Sequence, residues 1–126
     1  MKNKFFRLQK GRVIRMKEKV NVTGVPETMI QTLYARAKES GKMDAKIKDD
    51  MAMEIVSKLD YDFSKADQDK AMSYGVIART IVLDHMVEQY LQENPITIVV
   101  NIACGMYTIC YRMKGKYFSL NQEQFR

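Results

Sequence analysis

Residues Asn101 to Gly105 read Asn-Ile-Ala-Cys-Gly and follow the apolar, β-branched run Ile96 to Val100 directly. Small side chains let a ligand approach the backbone closely. In open α/β sheets, ligands bind beyond the carboxyl ends of the strands. This tip is therefore a candidate nucleotide or cofactor loop. Cys104 stands beside Gly105 and reads as a small packing residue rather than a nucleophile. His85 lacks the Ser, Cys or Asp partner pattern of a catalytic base. Cys104 and Cys110 have neither metal-site spacing nor a disulfide framework, and the scattered acids form no metal-ligand cluster with His85. No general base is identifiable.

These residues need elements to position them. Pro26 suits the first turn of a helix in which Met29, Ile30, Leu33, Tyr34 and Ala37 recur at helical spacing, with Gly41 as its stop. Lys42 to Asp49 reads as a polar loop, and Asp49 or Asp50 caps a short helix carrying Met53, Val56 and Leu59. Asp60 to Asp69 is acidic and reads as irregular. From Met72 to Glu93, Val76, Thr80, Leu83, Val87 and Tyr90 make a helical stripe widened by Ile77 and Ile81. Asn94-Pro95 ends that helix. The run Ile96 to Ile102 is then a buried parallel strand. The tip loop, a short helix near Ile109 to Met113, a turn at Gly115 and a second strand, Lys116 to Leu120, complete the reading.

At 126 residues the chain is one domain at most. No apolar stretch is long enough to span a bilayer, and no apolar core of a secretory signal follows the basic start. A reducing cytoplasm is the default for this cysteine usage. The net charge of +6 is unevenly spread. Residues 1–20 hold eight basic groups against Glu18, and the remaining residues hold 13 basic and 14 acidic groups. The division is therefore a basic arm, 1–20, and a body, 21–126. The arm reads as a solvated leader whose Phe5, Phe6, Leu8, Val13 and Ile14 give it some amphipathic helical character. No nucleic-acid-binding motif accompanies it, so nucleic acid is not an expected partner.

The run from Val99 to Met113, VVNIACGMYTICYRM, resembles the first motif of the leucine carboxyl methyltransferase family. That family of class I S-adenosylmethionine (SAM) methyltransferases includes polyketide-type O-methyltransferases. Its members typically carry V-V-N-L-G-C-G-L-D-T-R-F-Y-R here. Val99, Val100, Asn101, Cys104, Gly105, Thr108, Tyr111 and Arg112 match. Val22 to Ser40 resembles the family's N-terminal helix, and Tyr74 to Pro95 its next long helix, with Arg79-Thr80 and Asp84 in place. The resemblance extends to about Asn121.

The resemblance implies an α/β fold: N-terminal helices leading into the first two strands of a Rossmann-like sheet, truncated, since the family's catalytic domain is at least twice as long. It implies SAM as cofactor and O- or carboxyl-methyl transfer to an unknown acceptor. Arg79 matches the family's arginine for the methionyl carboxylate, and Arg36 is a weaker candidate. Ala103 and Gly105 form the cofactor loop, and Asn121 stands where an acid takes the ribose hydroxyls. Three positions depart from the pattern: Ala103 replaces a glycine, Tyr107 an aspartate and Asn121 an acid. A hydrogen bond to a charged group contributes roughly 1.5–3 kcal/mol against about 1 for a neutral one, so cofactor affinity should fall by about tenfold or more. The expectation is a truncated or degenerate methyltransferase with weak or no activity alone. The alternative is a non-catalytic interaction module derived from one. Two parallel strands cannot cover their own sheet, which predicts self-association or a protein partner through the sheet edge.

Overall fold

Helix α1 (Val25–Ser40) is the centre of the molecule in the computed structural model, which describes residues 6–9, 12–15, 17–21, 24–102 and 104–113. Gly24 precedes it at φ +76°, a conformation that favours glycine, and Pro26 occupies its first turn. Gly41 ends it, donating its backbone N–H to the Ala37 carbonyl at 3.2 Å. The buried face carries Ile30, Leu33 and Ala37 together with Arg36, Glu39 and Ser40. Leu33 and Ala37 pack against Ala52 of α2 (Asp50–Lys58), with Ile55, Val56 and Met106 closing round them. Asp49 caps α2 by accepting from the Ala52 N–H at 2.9 Å, as its position in the sequence implies.

The segment after α2 is more ordered than its acidic composition suggests. It forms a two-residue strand, β4 (Leu59–Asp60), and a one-turn helix, α3 (Ser64–Gln68). Phe63 stacks on Tyr34 of α1, ring centres 4.2 Å apart, and Asp67 accepts hydrogen bonds from Tyr34 and Lys38. Aromatic packing on α1 orders this stretch, and the local sequence carries no sign of it. Asp69 then caps α4 (Lys70–Glu93) through the Met72 N–H at 2.8 Å. Val76, Ile77, Thr80 and Leu91 are its buried residues. The predicted stripe is buried only in its first half, for Leu83 and Tyr90 are exposed.

Among its described residues the N-terminal arm is not helical. β1 (Phe6–Gln9) and β2 (Arg12–Arg15) pair antiparallel, with Phe6 opposite Arg15 and Gln9 opposite Arg12. β3 (Glu18–Lys19) pairs parallel with β4, tying the start of the chain to the segment after α2.

The largest departure from expectation is at residues 96–102. No strand forms there, and Ile96, Ile98, Val100 and Ile102 are 86, 89, 72 and 86% exposed. A parallel strand needs neighbours for its backbone groups and layers for both faces. Among the described residues no strand pairs with this one. The second predicted strand, Lys116 to Leu120, lies outside the described residues, and among the described residues the only parallel pairing is the short β3–β4 pair. The short helix after the loop does form, as α5 (Ile109–Arg112).

Candidate functional site

The loop from Cys104 to Thr108 turns tightly, the Tyr107 N–H donating to the Cys104 carbonyl at 3.0 Å. Gly105 sits at φ +53°, and a Cβ placed there would stand 2.5 Å from the Met29 Sδ. The glycine is thus needed twice: for its left-handed backbone and for the close approach of α1. The space that the sequence reserves for a ligand above Gly105 is filled by the Met29 thioether.

Behind the loop lies a buried polar network. The Asp49 carboxylate is fully buried and is the hub. Its Oδ2 accepts from Arg36 Nε at 3.1 Å, from Arg112 Nη1 at 2.8 Å and from the Thr108 hydroxyl. Arg112 also grips Asp84 of α4 with two parallel bonds, Nε to Oδ2 at 2.6 Å and Nη2 to Oδ1 at 2.7 Å. Such bidentate arginine–carboxylate pairs are among the stronger and more directional hydrogen-bonded contacts. Arg36 donates its Nη2 to the Met106 carbonyl at 2.8 Å, which fixes the loop to α1. The Tyr107 ring rests against both guanidinium groups, at 5.4 Å from Arg36 and 5.2 Å from Arg112. Its phenolic oxygen is buried with no hydrogen-bond partner among the described residues.

Electrostatics follow from this geometry. Burial pushes Arg112 down, but the hydrogen bonds and charge of Asp84, with the charge of Asp49, more than offset it and the guanidinium is held charged. Burial lowers Arg36, and Asp49 partly restores it. Burial and the neighbouring Asp84 charge raise the Tyr107 phenol above its ordinary range.

In front of the loop is a cleft of about 280 Å³ lined by Met29, Thr32, Arg36, Arg79, Thr80, Leu83, Cys104, Met106 and Tyr107. Small-molecule sites usually have about 300–1,000 Å³, so this cleft suits one end of a cofactor. The chain's own candidates meet here in part. Arg79 is exposed at the cleft wall and has no hydrogen-bond or ion-pair partner among the described residues. Arg36 lines the same cleft, but its guanidinium is committed to Asp49 and Met106. Gly105 lies between two lining residues and faces Met29 instead. Ala103 and Asn121 lie outside the described residues. Nothing local in the sequence marks Asp49 as the hub of this network, because its partners Thr108 and Arg112 are 59 and 63 residues away. Asp84 and Arg112 were visible only as motif positions.

The fit to a SAM-type cofactor is therefore one-sided. A cation unpaired among the described residues and a glycine-turned loop suit the amino-acid end. Among the described residues, the cleft offers no carboxylate for ribose hydroxyls or for a ligand cation.

The comparisons with known proteins agree with the motif. The leucine carboxyl methyltransferase family profile matches residues 29–121. The S-adenosyl-L-methionine-dependent methyltransferase dpfgK of Gibberella zeae is 35% identical over 106 residues, 78% of this chain. The tetracenomycin polyketide synthesis O-methyltransferase TcmP of Streptomyces glaucescens is 33% identical over 98 residues. In both cases the match covers 36% of the relative's length. No solved structure matches the chain at a significant level. With the profile covering residues 29–121, most of the sequence, the chain belongs to the leucine carboxyl methyltransferase family.

Proposed function

We propose that this chain supplies the amino-acid end of the cofactor site of a SAM-dependent O- or carboxyl-methyltransferase. The observation that carries the proposal is Arg79, a cation with no partner among the described residues, on the wall of the cleft that Cys104, Met106 and Tyr107 of the loop also line. When bound, the cofactor would supply an activated methyl group. Arg79 would hold the methionyl carboxylate through a charge-assisted, bidentate pair. Met106, pinned by Arg36, keeps the loop wall in place, and Thr80, tied to the Val76 carbonyl at 2.8 Å, orients the helix face beneath Arg79. Methyl transfer depends mainly on placing the acceptor oxygen in line with the methyl group. Asn121, the proposed ribose contact, and Ala103 complete the set by resemblance to the family. Tyr107 and Asn121 in place of acids keep the affinity low, weaker than low micromolar.

Calorimetric titration with SAM tests the reading. Arg79→Ala should lower affinity by about tenfold or more, the loss of a charge-assisted bond, with the thermal midpoint unchanged. Arg36→Ala should lower the midpoint first, because its guanidinium is structural. Equal binding by wild type and Arg79→Ala would sink the carboxylate assignment.

A further inference from the structure

A second hollow, of about 200 Å³, lies between α1, α3 and the first two turns of α4. It shares no lining residue with the cofactor cleft. Ala35, Lys38 and Glu39 reach it from one stripe of α1, at spacings of three and four residues. Its floor is apolar, for Ala35, Ala66 and Ile77 are buried. Its rim carries three ammonium groups, Lys38, Lys42 and Lys70, against two carboxylates, Glu39 and Asp67. Both carboxylates are already engaged. Glu39 accepts from Lys42 through one oxygen and from the Lys46 N–H through the other, the latter at 3.0 Å. Asp67 accepts from Lys38 and Tyr34. Lys70 and the hydroxyls of Ser73 and Tyr74 have no hydrogen-bond or ion-pair partner among the described residues. The capacity left over is therefore that of donors, beside one positive charge in excess.

We propose that this hollow binds a small monocarboxylate with a flat apolar body about one aromatic ring in size. The carboxylate lies at the edge made by Lys70, Ser73 and Tyr74, where a charge-assisted hydrogen bond is available. The ring lies over Ala35, Ala66 and Ile77, where its apolar surface leaves water. Sites for drug-sized molecules have about 300–1,000 Å³, so a hollow of this size takes a single ring and no nucleotide. An inorganic anion would leave the apolar floor bare, and a neutral ring would leave the ammonium group unused. A cationic ligand would meet carboxylates that other groups already hold. The site is independent of the Arg79 assignment.

The test titrates the full 126-residue chain with benzoate, and separately with benzyl alcohol and inorganic phosphate, following backbone amide shifts by NMR. Benzoate should move the amides of residues 35–42 and 66–74 and saturate. Benzyl alcohol should bind there about tenfold more weakly or less, having lost the charge-assisted bond. Lys70→Gln should weaken benzoate by about threefold or more, the scale of an exposed ion pair, and Lys70→Arg should restore it. Lys70 is exposed, so both variants should keep the thermal midpoint. Benzoate that fails to saturate at these amides would overturn the proposal, as would phosphate or benzyl alcohol binding there as well as benzoate. So would indifference to Lys70→Gln. Shifts confined to amides 79–83 and 104–107 would put the carboxylate at Arg79 instead and would also overturn it.

Discussion

Replacing Asp49 by asparagine preserves the shape of the network's hub and removes its charge. The helix cap on α2 survives, because asparagine caps about as well as aspartate. What is lost is the ion pairing with Arg36 and Arg112, both nearly fully buried with side chains 4 and 5% exposed. Two routes give the magnitude. Breaking a buried ion pair by removing one partner costs about 3–5 kcal/mol. Reducing two charge-assisted hydrogen bonds of roughly 1.5–3 kcal/mol each to neutral ones of about 1 costs about 1–4 in total. A loss of about 3 kcal/mol lies in both ranges, a large part of the roughly 5–15 kcal/mol that holds a domain together. Urea titration would show it directly. With a slope of about 1–3 kcal/mol per molar, the midpoint should fall by about 1–3 M. Asp49→Ala should fall further by about 1 kcal/mol, the loss of the cap. A midpoint for Asp49→Asn within about 0.3 M of wild type at unchanged slope, below the smallest shift this range allows, would refute the reasoning and would mean that the two arginines find water or other partners without cost.

Three further outcomes follow from the loop. Tyr107→Phe removes a buried hydroxyl that has no partner among the described residues and should raise stability by about 1 kcal/mol in the same titration. Gly105→Ala should cost about 1–2 kcal/mol from its positive φ, and adding Met29→Ala should recover only the steric share of any excess. On the alkaline side, burial raises Tyr107, Tyr34 and Tyr61 above the ordinary 10.0. A phenol kept neutral in the fold contributes stability that is fully present below its unfolded pKa and is lost as pH rises through its folded value. Unfolding midpoints should therefore decline above about pH 10, and ultraviolet tyrosinate absorbance should rise late, more so for the folded protein than in denaturant.

The helices were legible because their signals are local. Pro26 and Gly41 bound α1, Asp49 caps α2 and Asn94 ends α4, each within a residue or two of its position by composition. Arg79 lines the cleft together with Cys104 and Met106 of the loop. The network was not legible, because Arg36 finds Met106 across 70 residues and Asp49 finds Arg112 across 63. Alanines on both sides of Arg36 were a signal that it points inward, where a guanidinium needs an acid. Residues 96–102 misled for a different reason. Their side chains encode a buried strand, but strand pairing belongs to a neighbour as much as to the segment itself.

The wiring of Asp49 also sets a timetable. A nascent chain presents α1, Asp49 and α2 together, and Arg36 can pair with Asp49 at once. Arg112 follows 63 residues later, which at about 5–20 residues per second of synthesis is a delay of roughly 3–13 s. Throughout that interval the carboxylate holds one guanidinium instead of two, and α4 has no anchor for Asp84. The helical body therefore locks only when α5 has left the ribosome, and a chain halted short of Arg112 keeps its first helices without the bolt that joins them to the fourth.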